Sequence, residues 1–152
     1  MKISRHLAPA ATAALLTLAL TGCSPIINLE PAELANDPAC AEIIVRLPDS
    51  VGGLAKRATN AQATGAWGDP TAVILRCGLE PVEVSSLTCV TASDIDWLVD
   101  DAEAPSYRFI SYGRNPATEV IVDSTQVAGV TALDELAGAV QAIEATKRCT
   151  TF

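Results

Sequence analysis

Past residue 22 this chain has no histidine; the single copy, His6, lies in the opening segment. That absence excludes Ser-His-Asp and Cys-His catalysis in the rest of the chain, and imidazole metal sites with it. Lysine is almost as scarce, at Lys2, Lys56 and Lys147 only. Lys56 follows no Ser-x-x-Lys pattern, which argues against a serine–lysine acylase. Val51-Gly52-Gly53-Leu54 lacks the third glycine of a phosphate loop and follows no expected strand. Aromatic residues are few, two Trp, two Tyr and two Phe, and a small core needs most of them. No apolar run reaches the roughly 20 residues that span a bilayer.

What the first residues do contain is a secretion signal. Lys2 and Arg5 supply positive charge, Leu7 to Leu20 a short apolar run, and Thr21 and Gly22 small residues at a cleavage point. Leu20-Thr21-Gly22-Cys23 has the form of a lipobox. Cleavage before Cys23 exposes its amino group and thiol for lipid attachment. The expectation is a lipoprotein anchored at the extracytoplasmic face of the cell membrane. Residues 1–22 are then the signal, 23–36 a tether punctuated by Pro25, Asn28 and Pro31, and 37–152 a single domain.

Removing the signal leaves eight basic against eighteen acidic residues, a net charge of −10. Such acidity excludes a nucleic-acid footprint and a polybasic grip on anionic lipid heads. The membrane partner is therefore reached through lipid on Cys23, with acyl chains contributing about 0.8 kcal/mol per buried methylene. Cys40, Cys77, Cys89 and Cys149 remain, an even number suited to an oxidising compartment. They include no C-x-x-C pair, which argues against zinc; no cofactor is expected. Of the three possible pairings, Cys77–Cys89 closes a short loop and Cys40–Cys149 joins the first helix to the last. These are the pairings expected.

Asp37-Pro38 is a helix start, with Cys40, Ile43, Ile44 and Leu47 on one face before Pro48. Residues 49–69, rich in Gly and Ala, read as a long loop with a helical turn near Leu54 to Arg57. Strands are expected at Thr71 to Cys77, Leu87 to Val90 and Ile95 to Val99. Tyr107 to Tyr112 and Thr118 to Val122 follow as a hairpin about Gly113-Arg114-Asn115-Pro116. A last helix is expected over Thr131 to Arg148, capped by Thr131, with Lys147-Arg148 in its final turn and Leu133, Leu136, Val140 and Ile143 as its apolar stripe. The order of elements predicts an α+β fold: a small antiparallel sheet packed against N- and C-terminal helices, stapled by two disulfides.

Two sets of residues carry possible chemistry. Asp94, Asp96, Asp100, Asp101 and Glu103 cluster, and on a strand Asp94 and Asp96 share a face. That is the starting point for a cell-envelope hydrolase using paired carboxylates, or simply for a solvated, edge-protecting acidic strand. Trp67, Arg76, Tyr112 and Arg114 are the anchors of choice for a binding site, being the residue types that dominate recognition. Their structural alternative places Trp67 and Trp97 in the core and pairs Arg76 and Arg114 with Asp69 or Asp96.

Ala66-Trp67-Gly68-Asp69-Pro70, Ile74-Leu75-Arg76-Cys77-Gly78, Asp96-Trp97, Tyr112-Gly113-Arg114-x-Pro116-Ala117-x-Glu119-Val120 and Arg148-Cys149 occur in this order. Together they resemble an actinobacterial family of secreted proteins, the domain of unknown function 3515, over about Cys40 to Cys149. The resemblance implies an envelope lipoprotein with paired cysteines, and no activity. The expected role is a non-enzymatic binding or interaction module whose partner is an envelope protein or a small molecule.

Overall fold

The computed structural model describes residues 25–150; the expected signal and Cys23 lie outside the described residues. The first helix, α1 (Pro38–Ile44), forms where the sequence places its cap. Asp37 has extended backbone, and its carboxylate accepts a hydrogen bond from the Ala39 N–H at 2.8 Å. Cys40 and Ile43 are buried beneath it, with Leu47 just beyond its end.

Eight strands follow: β1 (Ser50–Val51), β2 (Leu54–Arg57), β3 (Thr64–Trp67), β4 (Val73–Leu79), β5 (Thr88–Ala92), β6 (Ile95–Asp100), β7 (Ser106–Ser111) and β8 (Ala117–Asp123). The loop expected over residues 49–69, with its helical turn at Leu54 to Arg57, is instead the first three of these strands. Gly52-Gly53, at φ +58° and +76°, is the two-residue turn that joins β1 to β2. The strand signal is weak because β3 is buried at every position, Thr64, Gly65, Ala66 and Trp67, which erases the alternation of a half-buried strand. The expected β7–β8 hairpin forms, with Phe109 opposite Val120.

All neighbours are antiparallel, in the order β1-β2-β3-β4-β8-β7-β6-β5. Two meanders, β1 to β4 and β5 to β8, meet where β4 pairs with β8. The final helix, α2 (Gly129–Val140), determines the shape. Adjacent residues on it reach opposite edges of the sheet. Glu135 accepts the Gly52 N–H in the β1–β2 turn at 2.9 Å, while Asp134 bonds Ser93 in the β5–β6 turn at 2.6 Å. A flat sheet of this width would hold those edges roughly 30 Å apart. The sheet is therefore rolled around α2 as an incomplete barrel. The rolled inside holds the core: Val73, Leu75, Trp97, Phe109, Val120 and Val122 against Ile43, Leu133, Leu136 and Val140.

α2 starts two residues before Thr131 and stops well short of Arg148. Ala128 occupies the cap position, with no side-chain hydrogen bond. Ile143 is still buried, as the apolar stripe requires, but from beyond the helix end. The chain after it is held by the sheet instead: Thr146 N–H donates to Gly113 O at 2.7 Å and Cys149 N–H to the Asp96 carboxylate at 2.9 Å. Lys147 and Arg148 therefore lie in an irregular segment and not in a last helical turn.

The disulfides are Cys40–Cys77 and Cys89–Cys149. This corrects the expected pairing of Cys77 with Cys89 and of Cys40 with Cys149. Cys77 faces the rolled inside, where α1 brings Cys40, whereas Cys89 lies opposite Leu98 on the outer face, beyond reach of Cys77. Each bridge thus ties a flanking segment to the sheet, one on its inner face and one over its outside.

Residues 25–36, expected as a tether, lie against the body. Ile27 and Thr59 form a bridge, Arg57 donates to Pro25 O at 3.1 Å, Arg76 to Glu30 O at 3.3 Å, and Leu34 N–H to Gly78 O at 2.7 Å. The segment runs from one end of the strands to the other.

Candidate functional site

Strand alternation sorts the expected binding residues at once. Trp67 points to the rolled inside. It is fully buried, and its indole N–H donates to Pro48 O at 3.0 Å. Trp97 is equally buried. Arg76 and Tyr112 belong to the outer face, with Arg114 just past Tyr112 in the β7–β8 turn. Trp67 pairs with Val73, which pairs with Val122, whereas Arg114 precedes Ala117 at the other end of β8. Five strand steps separate those ends, about 17 Å, so Trp67 and Arg114 share no site. The other three residues are brought onto one side of the molecule.

At the centre of that outer face is a group that sequence reading passed over. Glu119 is 0% exposed. Arg76 stands directly across from it on β4, and Arg108 lies on its other flank on β7. Each arginine Nε donates to one carboxylate oxygen at 2.5 Å, and both pairs are ionic. The two arginine side chains stay about a third exposed, at 30% and 38%. Arg76 therefore pairs with Glu119 and not with Asp69. The signal in the sequence is two opposite charges in mid-strand, inside Val73-Ile-Leu-Arg-Cys-Gly-Leu79 and Ala117-Thr-Glu-Val-Ile-Val-Asp123. A charged residue within an apolar run is buried only with a partner.

The second centre is the Tyr112–Arg114 corner. Gly113, at φ +72°, lets the turn pass under the C-terminal segment; a Cβ there would lie 2.2 Å from Lys147 O. That crossing leaves Arg114 4% exposed. Its Nε donates to Ile143 O at 2.9 Å, but Nη1 is buried without a hydrogen-bond partner, and no described carboxylate comes within ion-pair distance. Burial, then the charge of Arg148, lowers its pKa, and Asp96 draws it partly back up. An arginine stays protonated through such a shift. Above it is a cleft of about 170 Å³ between Val82, Glu83 and Lys147. Lys147 pairs with Glu83 at the rim, which raises the lysine pKa. A separate, wider hollow of about 490 Å³ lies over Tyr112, Leu98, Leu87 and the Cys89–Cys149 bridge.

The carboxylate pair that the alternative hydrolase reading requires does not form. Ser93 and Asp94, at φ +47° and +62°, are the tight turn between β5 and β6, so Asp94 is not on the strand. Asp96 is buried, and its oxygens accept from Thr91 Oγ1 at 2.7 Å and from the Cys149 N–H. Asp100, Asp101 and Glu103 follow at the strand end and the next turn. No metal-binding cluster of acidic, cysteine or histidine residues occurs among the described residues.

Burial alone would raise the Asp96 pKa, but the bonds from Thr91 and Cys149, then Arg148 and Arg114, outweigh it and hold it below its ordinary value. A depressed folded pKa gives stability that is complete above the unfolded value near 4 and is lost as pH falls through the folded one. Urea midpoints are expected to fall between pH 5 and 3, and Asp96→Asn to flatten that slope.

Together these features define a small disulfide-bonded α+β domain, a sheet rolled on a helix, with arginine centres on its outer side. The chain belongs to the family described as protein of unknown function (DUF3515), whose model matches residues 8–149. No curated protein and no solved structure matches it.

Proposed function

We propose that this chain is a lipid-anchored, extracytoplasmic, non-enzymatic binding module of the cell envelope, and that the Tyr112–Arg114 corner is its binding end. The observation that carries the reading is Arg114, a guanidinium buried beside a cleft with no described carboxylate in ion-pair contact. Buried charges are ordinarily paired, and this one keeps a nitrogen without a hydrogen-bond partner next to the cleft.

The anchor rests on Leu20-Thr21-Gly22-Cys23, and two disulfides that take up all four later cysteines fit an oxidising compartment. Pro25 is already held by Arg57, whose other nitrogen bonds Gly68 O at 2.9 Å. A lipid on Cys23 would thus join the body within two residues, about 7 Å of chain. That attachment lies at the Trp67–Gly68 end of the strands, so the Arg114 end would face away from the bilayer. No observation favours a hydrolase built on Asp94 and Asp96.

The test is crosslinking and co-purification from native envelopes. The wild-type chain is expected in the membrane fraction with a bound partner or small molecule, Cys23→Ala in the soluble fraction, and Arg114→Gln anchored but empty. Wild type and Cys23→Ala in the same fraction would overturn the anchor; an Arg114→Gln chain with its full complement would overturn the binding end.

A further inference from the structure

The rolled sheet has two free edges, and they differ. β1 is 2 residues long, and Glu135 already closes the turn beside it. β5 is 5 residues long, Thr88-Cys89-Val90-Thr91-Ala92, and pairs with β6 alone, without a register shift. The Ser93-Asp94 turn fixes which of its backbone groups face outward. In a two-residue hairpin the flanking pair, Ala92 and Ile95, exchanges hydrogen bonds, and so in turn do Val90 with Trp97 and Thr88 with Val99. The N–H and C=O groups of Cys89 and Thr91 therefore point away from β6, about 7 Å apart along the strand. They have no hydrogen-bond partner among the described residues. Free edges are ordinarily blunted by proline, charge, a bulge or a covering element. β5 contains no proline and no charged residue. The end of α2 reaches only as far as the turn in its hydrogen bonds, where Gln141 donates to Ser93 O at 2.9 Å and Asp134 bonds the Ser93 hydroxyl. Thr88, Val90 (37%) and Thr91 stay exposed.

We propose that the open edge of β5 is a docking site for an extended segment of another protein, which adds to the 8-stranded sheet as one more antiparallel strand. The residues of that segment opposite Cys89 and Thr91 each exchange both backbone hydrogen bonds with them. Their side chains fall on the outer side, where Cys89 and Thr91 border the wide hollow, whose exposed lining is mostly polar. The residue opposite Val90 falls on the other side, against an exposed apolar group. The segment is thus alternately polar and apolar, and β-branched residues suit it best. Its flanks are basic. Asp94 and Asp134 stand at the turn end of β5, where Arg148 donates to Asp94 O, and Asp100 and Asp101 follow Val99, the partner of its other end. A second copy of this chain is not the occupant, a step that rests on the anchor reading above. Antiparallel pairing of β5 with its own copy rotates one body by half a turn about an axis normal to the sheet. The two Pro25 attachments would then lie at opposite ends, out of reach of one bilayer.

The probe is the peptide Lys-Thr-Val-Thr-Val-Thr-Lys, with fluorescein at its N-terminus and an amide at its C-terminus. It is titrated by fluorescence anisotropy into the full chain, purified from envelopes in phosphatidylcholine nanodiscs, with empty discs subtracted. Saturable binding is expected. Methylating the backbone nitrogens of the peptide's Thr residues, which face β5, is expected to weaken it at least tenfold; methylating those of its Val residues, which face away, should change it by less than threefold. Replacing both lysines by glutamate is expected to weaken it at least tenfold at low salt. Bound peptide should slow amide hydrogen exchange at Cys89 and Thr91 at least tenfold and leave Val90, already bonded to Trp97, unchanged. Val90→Lys is expected to weaken binding several-fold with unchanged tryptophan fluorescence, and Val90→Thr by less than twofold. No saturable binding, equal effects of the two methylations, glutamate flanks that bind as tightly as lysine, or protection away from β5 would overturn the proposal. Crosslinking of one chain to another that Val90→Lys abolishes would give the edge to a second copy and overturn it likewise. The anchor and the Arg114 end are read from fractionation and envelope capture, so either reading can fail without this one, and this one without them.

Discussion

Removing both guanidinium groups that hold Glu119, in an Arg76→Ala/Arg108→Ala double variant, is expected to destabilise the domain by about 3–5 kcal/mol. The reason is the asymmetry of a buried ion set. Glu119 is fully buried while its partners remain about a third exposed. Stripped of one partner, the carboxylate keeps the other; stripped of both, it must stay charged without compensation or take up a proton. Either single variant is therefore expected to cost less than half of the double. The converse variant, Glu119→Leu, leaves two arginines that can turn toward water, and its cost should stay nearer 1–2 kcal/mol. Adding Glu119→Leu to the double variant should recover most of the loss, since an apolar replacement of a whole buried ion set is often tolerated. Urea unfolding of the oxidised chain measures all of these. A double variant no weaker than the sum of its singles, with no recovery by Glu119→Leu, would show that the carboxylate is not buried as described.

Loss of the disulfides is expected to have a comparable effect. Cys40–Cys77 closes a separation of 37 residues and Cys89–Cys149 one of 60. In the chain-entropy account each contributes about 4 kcal/mol. Paired alanine substitution should lower the urea midpoint by a similar amount for either bridge. The consequences differ in kind. Breaking Cys40–Cys77 frees α1 from β4 at the core. Breaking Cys89–Cys149 frees the C-terminal segment that covers Arg114, so this variant should lose ligand binding before it loses the fold. Non-reducing peptide mapping should recover Cys40 joined to Cys77 and Cys89 to Cys149; any fragment joining Cys77 to Cys89 would refute the topology.

Several parts of this arrangement are legible in the residues alone. Asp37-Pro38 marks the start of α1 because a carboxylate acceptor and a missing N–H both suit the first helical turn, and the cap forms as read. Val73 to Cys77 and Ile95 to Val99 are β-branched, apolar and bounded by breakers, so β4 and β6 follow. Gly113-Arg114-Asn115-Pro116 turns the β7–β8 hairpin. The low aromatic count supplies the structural alternative for Trp67 and Trp97, and their full burial shows that it, and not a binding role for Trp67, is what the fold adopts.

What the sequence determines by itself, then, is local: caps, turns, the stronger strands, and the types of chemistry a chain without histidine past residue 22 can perform. Sheet order, disulfide partners and the fate of each charge belong to the tertiary structure. They depend on which distant segments meet, and the energies involved exist only once those segments have met. Cys77 and Cys89 are near in sequence, yet they lie on opposite faces of a sheet whose curvature is set by α2 reaching both edges. Arg76 and Glu119 are 43 residues apart and pair because β4 and β8 join the two meanders. Arg114 loses its water, and its expected partner Asp96 is engaged elsewhere, because the C-terminal segment crosses Gly113 on its way to Cys89. Desolvation is a property of the assembled surface, so no pattern along the chain could have revealed that charge.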